Sequence, residues 1–269
     1  RVHGVTVSVV VSGADGRLGR RIVAQCVAAS DIAVRGAVVR PDSPVDGRDA
    51  SVLCPELTET GLRATGAMVL EPGAVLIETA PPQAALRHAE QAAGARMPVV
   101  IATTGFSGAQ VDELKTFAEA VPVLLAPNLS LGVTVLTELV ERASAALSGY
   151  DVEIVELHHR RKRDAPSGTA WALARAADAA RGREADRDVI AARAGEVGPR
   201  SDTEIGVFAV RGGDIIGEHT VYFAGETERV ELTHRAINRD AFAHGAVQAA
   251  RFVSLQAQGW FTMRDVVGL

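Results

Sequence analysis

A glycine-rich turn between a buried strand and a helix is the feature that most constrains the fold. Residues 5–12 (VTVSVVVS) form a continuous run rich in β-branched side chains, which is typical of a strand buried on both faces. The turn Gly13–Gly19 follows with the spacing GxxGxxG, and residues 17–29 then carry apolar side chains at helical intervals. Strand, glycine turn and helix in this order predict the first βα unit of a doubly wound parallel sheet that binds a dinucleotide.

Each glycine of this turn has its own expected role. Gly13 permits the tight turn, Gly16 lets a pyrophosphate approach the backbone, and Gly19 lets the helix pack closely on the strand. The start of the helix adds free N–H groups and a partial positive charge, both of which attract a phosphate. The alternative is an ordinary strand-to-helix turn, but the preceding strand and the following helix favour nucleotide binding.

Strands and helices continue to alternate along the first half of the chain, as in an α/β fold with a Rossmann-like sheet. The predicted strands are 34–39, 75–77, 99–102 and 121–126, and the predicted helices are about 82–94, 108–120 and 132–147. Because the connections between parallel strands are right-handed crossovers, the carboxyl ends of the strands should form the ligand-binding edge.

The pattern changes after about residue 128. The remaining elements are a predicted strand at 152–157, a helix at about 168–181, and a long loop with short pieces of structure at 182–203. Strands at 204–210, 217–224 and 228–236 and a helix at about 240–258 follow. The last three strands alternate polar and apolar residues, as antiparallel strands with one covered face do. We therefore expect a dinucleotide-binding domain at 1–128, completed by 240–269. A second α+β domain with a mixed or antiparallel sheet should occupy 129–239, for substrate binding and oligomerisation.

Composition excludes several classes of protein. The net charge of −5 argues against a general nucleic-acid binder, and no apolar run approaches the ~18 residues of a membrane-spanning helix. Two cysteines, Cys26 and Cys54, provide no disulfide framework and fit a reducing compartment. The first residues lead directly into the strand pattern, so we expect no signal peptide and a cytoplasmic protein.

The segment Glu153–Ala170 (EIVELHHRRKRDAPSGTA) concentrates chemically active side chains. It contains Lys162, one of two lysines beside 26 arginines, the other being Lys115. Arginine does not release its proton near neutral pH, whereas lysine does so when burial or cationic neighbours lower its pKa. A lysine at this place therefore indicates proton transfer.

The neighbours of Lys162 suggest an anionic substrate. His158 and Lys162 are candidate proton donors, and His159 with nearby cations is a candidate carboxylate site. The Ser167-Gly168-Thr169 turn begins a helix whose hydroxyl and N–H groups can bind a second carboxylate. Asp164 either orients one of the donors or caps the helix. The alternative is a solvated basic loop before a capped helix, which is our interpretation for the remaining cations, Arg160, Arg161 and Arg163.

We expect no metal at this segment. Adjacent residues of an extended chain point to opposite sides, so His158 and His159 would not readily chelate one ion. Neither a cysteine nor a further histidine lies at zinc-ligand spacing.

The end of the second strand bears on cofactor choice. An acid there would hold the adenosine ribose hydroxyls of NAD, but this chain has Val39 and then Arg40, which is able to pair with a 2′-phosphate. Asp42 follows two residues later, and the alternative is that its carboxylate reaches the ribose hydroxyls of NAD. The sequence thus favours NADPH over NADH. Two later strand-end loops, 102–105 and 126–130, offer hydroxyl and amide groups at the same edge, although turns use such residues anyway.

With these motifs in place, the chain resembles the 4-hydroxy-tetrahydrodipicolinate reductase (dihydrodipicolinate reductase) family of lysine and diaminopimelate biosynthesis. The family signature, roughly E-[IV]-x-E-x-H-H-x-x-K-x-D-x-P-S-G-T-A, is met at every fixed position from Glu153 to Ala170. The resemblance covers nearly the whole chain. It extends to Gly13–Gly19, Thr103–Phe106, Pro127–Gly132, Arg211–Asp214, Gly217–His219 and Met263–Val266.

The resemblance implies an NADPH- or NADH-dependent oxidoreductase that acts on a small cyclic dicarboxylate as a homotetramer. It implies His158 and Lys162 as proton donors, with His159, Ser167, Gly168 and Thr169 binding the substrate. The cofactor-binding residues that it implies are Gly13, Ala14, Asp15, Gly16, Arg17, Leu18, Arg40, Ala102, Thr103, Thr104, Ala126, Pro127, Asn128 and Leu129. Three departures from the family pattern fall on the cofactor side, at Val39, at Ala102 and in the segment 78–82.

Overall fold

The computed structural model describes residues 6–53, 61–183 and 188–269. Cys54, considered above with Cys26, lies outside these ranges. The chain forms two compact units. One contains the described residues up to Leu131 together with Arg239–Leu269, and the other is Gly132–Asn238.

The first unit is built on a seven-stranded sheet whose strands all run parallel. Its order is β12-β6-β5-β4-β1-β2-β3. The strands are β1 (Val7–Ser12), β2 (Ile32–Val38), β3 (Ala64–Thr65), β4 (Val75–Glu78), β5 (Val99–Ile101), β6 (Pro122–Leu125) and β12 (Gly259–Phe261). The short apolar runs of the sequence became strands because helices cover both faces of the sheet.

Residues that alternate along β1 separate the two cores of this unit. Val9 and Val11 pack with helices α1 (Arg17–Ala28) and α6 (Asp240–Val253), whereas Val10 packs with α2 (Pro82–Gly94) and α3 (Gly108–Phe117) on the other face. This arrangement confirms the doubly wound sheet predicted from the sequence. A short helix, α7 (Met263–Val267), ends the chain.

The second unit is a five-stranded mixed sheet of order β11-β10-β7-β9-β8. The strands are β7 (Asp151–His158), β8 (Val189–Ile190), β9 (Ile205–Arg211), β10 (Glu218–Ala224) and β11 (Arg229–Arg235). Helices α4 (Leu131–Ala146) and α5 (Gly168–Ala180) pack on one face of this sheet through Leu136, Val140, Leu173 and Ala177.

Two details of the sequence prediction were wrong. Strand β9 pairs parallel to β7, not antiparallel, because α5 provides a crossover between them. The last long helix ends at Val253, not at 258, and the following residues form the edge strand β12 and the capped helix α7.

Candidate active site

One face of strand β7 is apolar in the first half of the strand, where it contributes to the hydrophobic core, and polar in the second half. Val152 and Ile154 are fully buried apolar residues of the core. Glu156, the next residue on that face, is also fully buried, and His158 ends the strand with its side chain only 12% exposed. A charged residue thus occupies a position where alternation predicts another apolar one.

Glu156 accepts hydrogen bonds from three directions. Its Oε2 accepts from His158 Nδ1 at 2.6 Å, and its Oε1 accepts from the backbone N–H of Ser167 at 2.9 Å. Arg211 donates Nη1 to Oε2 and Nη2 to Oε1, both at 2.7 Å, in a bidentate pair. Burial alone would raise the pKa of Glu156, but hydrogen bonds from His158, Arg211 and Ser167, with the charge of His158, lower it to about 2.

The sheet register assembles this cluster. Arg211 ends β9 beside His158, and His219 on β10 lies opposite Glu156. His219 Nε2 lies 3.0 Å from Ser167 Oγ, and its ring meets that of His158 edge-on at 5.3 Å. Burial first, then the nearby charge of His158, lowers the pKa of His219 to about 4, so His219 is neutral near pH 7.

Lys162 lies in the turn that follows β7. Its backbone N–H donates to the carbonyl of His159 at 3.0 Å, and its Nζ donates to Asp164 Oδ2 at 2.8 Å. The hydrogen bond from Lys162 is the main reason that the pKa of Asp164 is below its ordinary value. Of the two roles considered for Asp164, the structure therefore has it paired with Lys162, while Ser167 caps the helix.

The start of α5 is open to an anion. Ser167 Oγ accepts from the N–H of Ala170 at 3.1 Å, and the first turn holds no acidic residue. Gly168 is exposed, and a Cβ added there would have no atom within 4 Å among the described residues. N–H groups and a partial positive charge at such a helix start suit a carboxylate.

The surrounding arginines face solvent. Arg160, Arg161 and Arg163 are exposed, and Arg161 pairs with Asp214 at 2.6 Å. Within residues 6–53, 61–183 and 188–269, no group of three or more His, Cys, Asp or Glu side chains is arranged to hold a metal ion.

Two glycines of the turn in the first unit, Gly13 and Gly19, leave no room for a side chain. Gly13 has φ +72°, and a Cβ added there would lie 2.5 Å from Thr79 Oγ1. A Cβ at Gly19 would lie 2.1 Å from the carbonyl oxygen of Gly13. Helix α1 begins next to Gly16, which provides no side-chain cap. The first turn of α1 therefore fits the pyrophosphate of a dinucleotide.

The region after β2 contains a cation and no acid at the strand end. Val39 is buried, Arg40 is exposed, and the carbonyl of Arg40 accepts from the N–H of Ser43 at 2.9 Å. Ser43 Oγ in turn donates to Asp15 Oδ2 at 3.0 Å. The hydrogen bond between Ser43 and Asp15 therefore holds the turn after β2 against the glycine turn.

Some polar groups of the later strand-end loops are already hydrogen-bonded within the protein. Thr103 Oγ1 donates to the carbonyl of Ala80 at 2.7 Å, and Asn128 Oδ1 accepts from the N–H of Ser130 at 2.9 Å. Leu129 is buried in the core, whereas Thr104 and Pro127 are exposed. Ala102 and Ala126 are the first residues of these loops. Their N–H groups donate to the backbone carbonyls of Glu78 and Ile101, respectively.

Sequence reasoning missed three members of the cluster around His158, namely Glu156, Arg211 and His219. It noted all three only within matching motifs and gave them no role. One local signal was available, because Glu156 stands two residues before His158 on a face that is otherwise apolar.

Comparisons with known proteins agree along the whole chain. Residues 7–129 match the family model "Dihydrodipicolinate reductase, N-terminus", and residues 132–267 match "Dihydrodipicolinate reductase, C-terminus". The 4-hydroxy-tetrahydrodipicolinate reductase of Anaeromyxobacter dehalogenans (strain 2CP-C) is 45% identical over 270 residues, which cover 97% of each chain. The enzyme of the same name from Aquifex aeolicus is 44% identical over 269 residues, 98% of this chain and 100% of the relative.

Solved structures share the fold. The dipicolinate-bound dihydrodipicolinate reductase from Paenisporosarcina sp. TG-14 superposes with a TM-score of 0.75 at 22% identity, covering 96% of this chain and 97% of that one. An amine dehydrogenase from Mycobacterium smegmatis gives a TM-score of 0.63 at 14% identity, covering 98% of this chain and 96% of that one.

None of the helices in the described part of the chain is long and apolar enough to span a bilayer.

Proposed function

The chain belongs to the dihydrodipicolinate reductase family, and we propose that it uses His158 and Lys162 as proton donors in the reduction of 4-hydroxy-tetrahydrodipicolinate. This reaction yields tetrahydrodipicolinate and is the NAD(P)H-dependent step of lysine and diaminopimelate biosynthesis that defines the family. The observation that carries the assignment of the donors is their placement. His158 is the last residue of β7, and Lys162 lies in the turn that follows, before the open start of α5.

The protons are needed because reduction creates negative charge on the substrate. The 4-hydroxyl group and a ring proton leave the substrate as water, which gives the conjugated dihydrodipicolinate ring. Bound NAD(P)H would supply a hydride to that ring, and the addition leaves an enamine-like anion that an acid must stabilise and protonate. The Lys162 ammonium, held by Asp164 and largely shielded from solvent, stabilises that charge. Both groups are proposed proton donors, Lys162 through Nζ and His158 through Nε2, the ring nitrogen on the side away from Glu156.

The two carboxylates of the substrate need separate partners. We assign one to the N–H groups and hydroxyl of Gly168 and Thr169, with Ser167 shaping the helix start by its cap. We assign the other to His159 and the cations beside it. A dianionic substrate accounts for a local basic segment in a chain of net charge −5.

We propose NADPH as the preferred cofactor, with NADH as the alternative. Arg40 is exposed two residues after β2, and the strand end lacks an acid that would repel a 2′-phosphate. The glycine turn 13–19 would hold the pyrophosphate, and the loops 102–104 and 126–129 would contact the nicotinamide half. Equal Kd and equal kcat/KM for the two cofactors would contradict this preference.

We also propose a cytoplasmic homotetramer that assembles through the second unit. Helices α4 and α5 cover one face of the mixed sheet. The opposite face presents the partly buried Val155, Leu157 and Tyr222 and the exposed Val210. Apolar side chains on such a face favour self-association. Sedimentation velocity should give a tetramer, and a monomer at micromolar concentration would contradict the proposal.

Loss of absorbance at 340 nm with freshly generated 4-hydroxy-tetrahydrodipicolinate tests the reaction, with NADPH and NADH in parallel. Lys162→Ala should lower kcat by about 10²–10⁴-fold, as loss of a general acid does, while the Kd of NADPH stays constant. Lys115→Ala is the matched control, since Lys115 is the other lysine and also pairs with an aspartate, Asp112, at 2.9 Å. An unchanged kcat in Lys162→Ala would remove Lys162 from the mechanism. Absence of turnover in protein that still binds NADPH would indicate a different substrate.

A further inference from the structure

The proposed proton donors leave the most deeply buried charge of the site without a function. Glu156 is fully buried at the end of a core face, yet it is charged and bound by His158, Arg211 and Ser167. We propose that Glu156 is a positioning residue, whose carboxylate holds His158 in the tautomer and orientation that present Nε2 for proton transfer. This inference rests on the role proposed for His158.

The tautomer follows from hydrogen-bonding capacity. A carboxylate only accepts, so the 2.6 Å contact with Glu156 Oε2 requires a proton on Nδ1 of His158. The proton that His158 exchanges is therefore the one on Nε2. A Cβ added at Gly217 would lie 3.0 Å from Nε2, so the glycine keeps side-chain atoms away from the nitrogen that acts.

Arg211 extends the control of Glu156 to the turn that carries Lys162. Besides its bidentate pair with Glu156, Nη2 of Arg211 donates to the carbonyl of Asp164 at 2.7 Å. Asp164 is the partner of Lys162. The N–H of Ser167 ties the same carboxylate to the start of α5. The carboxylate of Glu156 thus fixes three parts of the site relative to each other. They are the imidazole of His158, the turn that contains Lys162, and the start of α5.

Stability alone does not account for a glutamate here. Burying an ion pair costs desolvation free energy, and apolar side chains of similar size often do as well or better. Val152 and Ile154 precede Glu156 on the same face, so a leucine would continue the core. The charge of Glu156 needs an arginine from another strand to compensate it, so its presence at this position indicates a role in the chemistry.

The charges around His158 set the direction of the pH effect. Glu156 lies on its own strand, Arg211 on β9, His219 on β10, and Lys162 with Asp164 in the following turn. His219 is neutral near pH 7, so the carboxylate of Glu156 is the group that offsets a positive imidazole at contact distance. Its removal would leave the His158 imidazole near the cations Arg211 and Lys162 without the carboxylate that offsets its charge.

Glu156→Gln is the decisive variant, because it preserves shape while replacing one acceptor by an amide donor. We expect kcat to fall by about 10²-fold with the Kd of NADPH unchanged. The alkaline limb of the kcat/KM profile should move to lower pH, because the protonated imidazole loses its charged partner. In proton NMR spectra, the Nδ1–H resonance of His158 is identified by its absence from His158→Asn. It should move upfield in Glu156→Gln, because an amide oxygen accepts a weaker hydrogen bond than a carboxylate does.

Two further variants separate positioning from general damage. Glu153→Gln removes a carboxylate on the opposite face of β7 that also has a bidentate arginine partner, Arg193, and it should keep the wild-type pH profile. Glu156→Asp retains the charge, so it should keep the alkaline limb in place while kcat falls from poorer alignment. It also keeps the test available if Glu156→Gln does not fold.

The outcomes distinguish this inference from the proposed function. If the wild type turns over and Glu156→Gln keeps the wild-type kcat, pH profile and His158 Nδ1–H resonance, the positioning role is wrong. The positioning role is equally wrong if Glu156→Asp shifts the pH profile as far as Glu156→Gln does. If the wild type shows no turnover, the proposed function fails, while the His158 Nδ1–H resonance still reports whether Glu156 positions His158.

Discussion

Replacement of Gly19 by alanine tests the close approach of α1 to the glycine turn. The added Cβ would lie 2.1 Å from the carbonyl oxygen of Gly13 and 2.8 Å from Ala14 Cα, both backbone atoms. A Cβ essentially never lies within 3.0 Å of another non-bonded heavy atom, so the backbone must shift by about 0.9 Å (3.0 minus 2.1). Overpacking typically costs about 1–3 kcal/mol, and an obstacle made of backbone places this variant near 3 kcal/mol.

Two measurements follow from this displacement. A loss of about 3 kcal/mol should lower Tm by roughly 6–12 °C, using about 2–4 °C per kcal/mol for a unit of this size. Loss of one backbone hydrogen bond to a phosphate costs about 1.5–3 kcal/mol, which raises the Kd of NADPH roughly 10- to 150-fold. Differential scanning fluorimetry and fluorescence titration of NADPH measure the two effects.

Gly94→Ala is the control for Gly19→Ala. Gly94 is the last residue of α2, and a Cβ there meets no atom within 4 Å among the described residues. This variant should be neutral or stabilised by up to about 1 kcal/mol, with unchanged NADPH binding. A Gly19→Ala protein with Tm within 2 °C and Kd within twofold of the wild type would refute the packing argument.

Three other predictions concern the second unit. Gly217→Ala should lower kcat about tenfold or more by crowding His158 Nε2, whereas Gly212→Ala, with no atom near its Cβ among the described residues, should not; equal steady-state rates would contradict this. Because the folded pKa of His219 is about 4 against 6.5 unfolded, stability should fall by up to about 3 kcal/mol as pH falls from 6.5 to 4. Urea unfolding at several pH values should show this slope, and His219→Gln should flatten it. Arg181→Ala should cost about 2 kcal/mol by urea unfolding, and a loss below 0.5 would be inconsistent with the bonds that Arg181 donates to Ser144 Oγ and to the carbonyls of Leu147 and Tyr150.

The fold was largely predictable because its strongest signals are local. The run before Gly13 became a buried strand, and α2 spans Pro82–Gly94 as predicted, with a proline in its first turn. The direction of β9 was not predictable from alternation, since a one-sided strand reads alike in either orientation. Strands β3 and β12 are only two and three residues long, too short for any periodicity to show.

Only the part of the candidate site that lies in one continuous segment was predictable from the sequence. His158 and Lys162 lie in one strand end and its turn, so their spacing in the sequence already reports their proximity. Arg211 is 55 residues from Glu156, and only the parallel register of β7 and β9 joins them. No periodicity indicates which distant cation compensates a buried acid.

A buried acid nevertheless leaves a trace in the sequence. Alternation along β7 puts Glu156 on the face of Val152 and Ile154, and a carboxylate is stable there only if donors converge on it. Such a position predicts that another strand ends in a cation at the same edge, and Arg211 at the end of β9 meets that requirement. The interruption of an apolar face by an acid two residues before a histidine therefore indicates a positioned imidazole, before its partner is known.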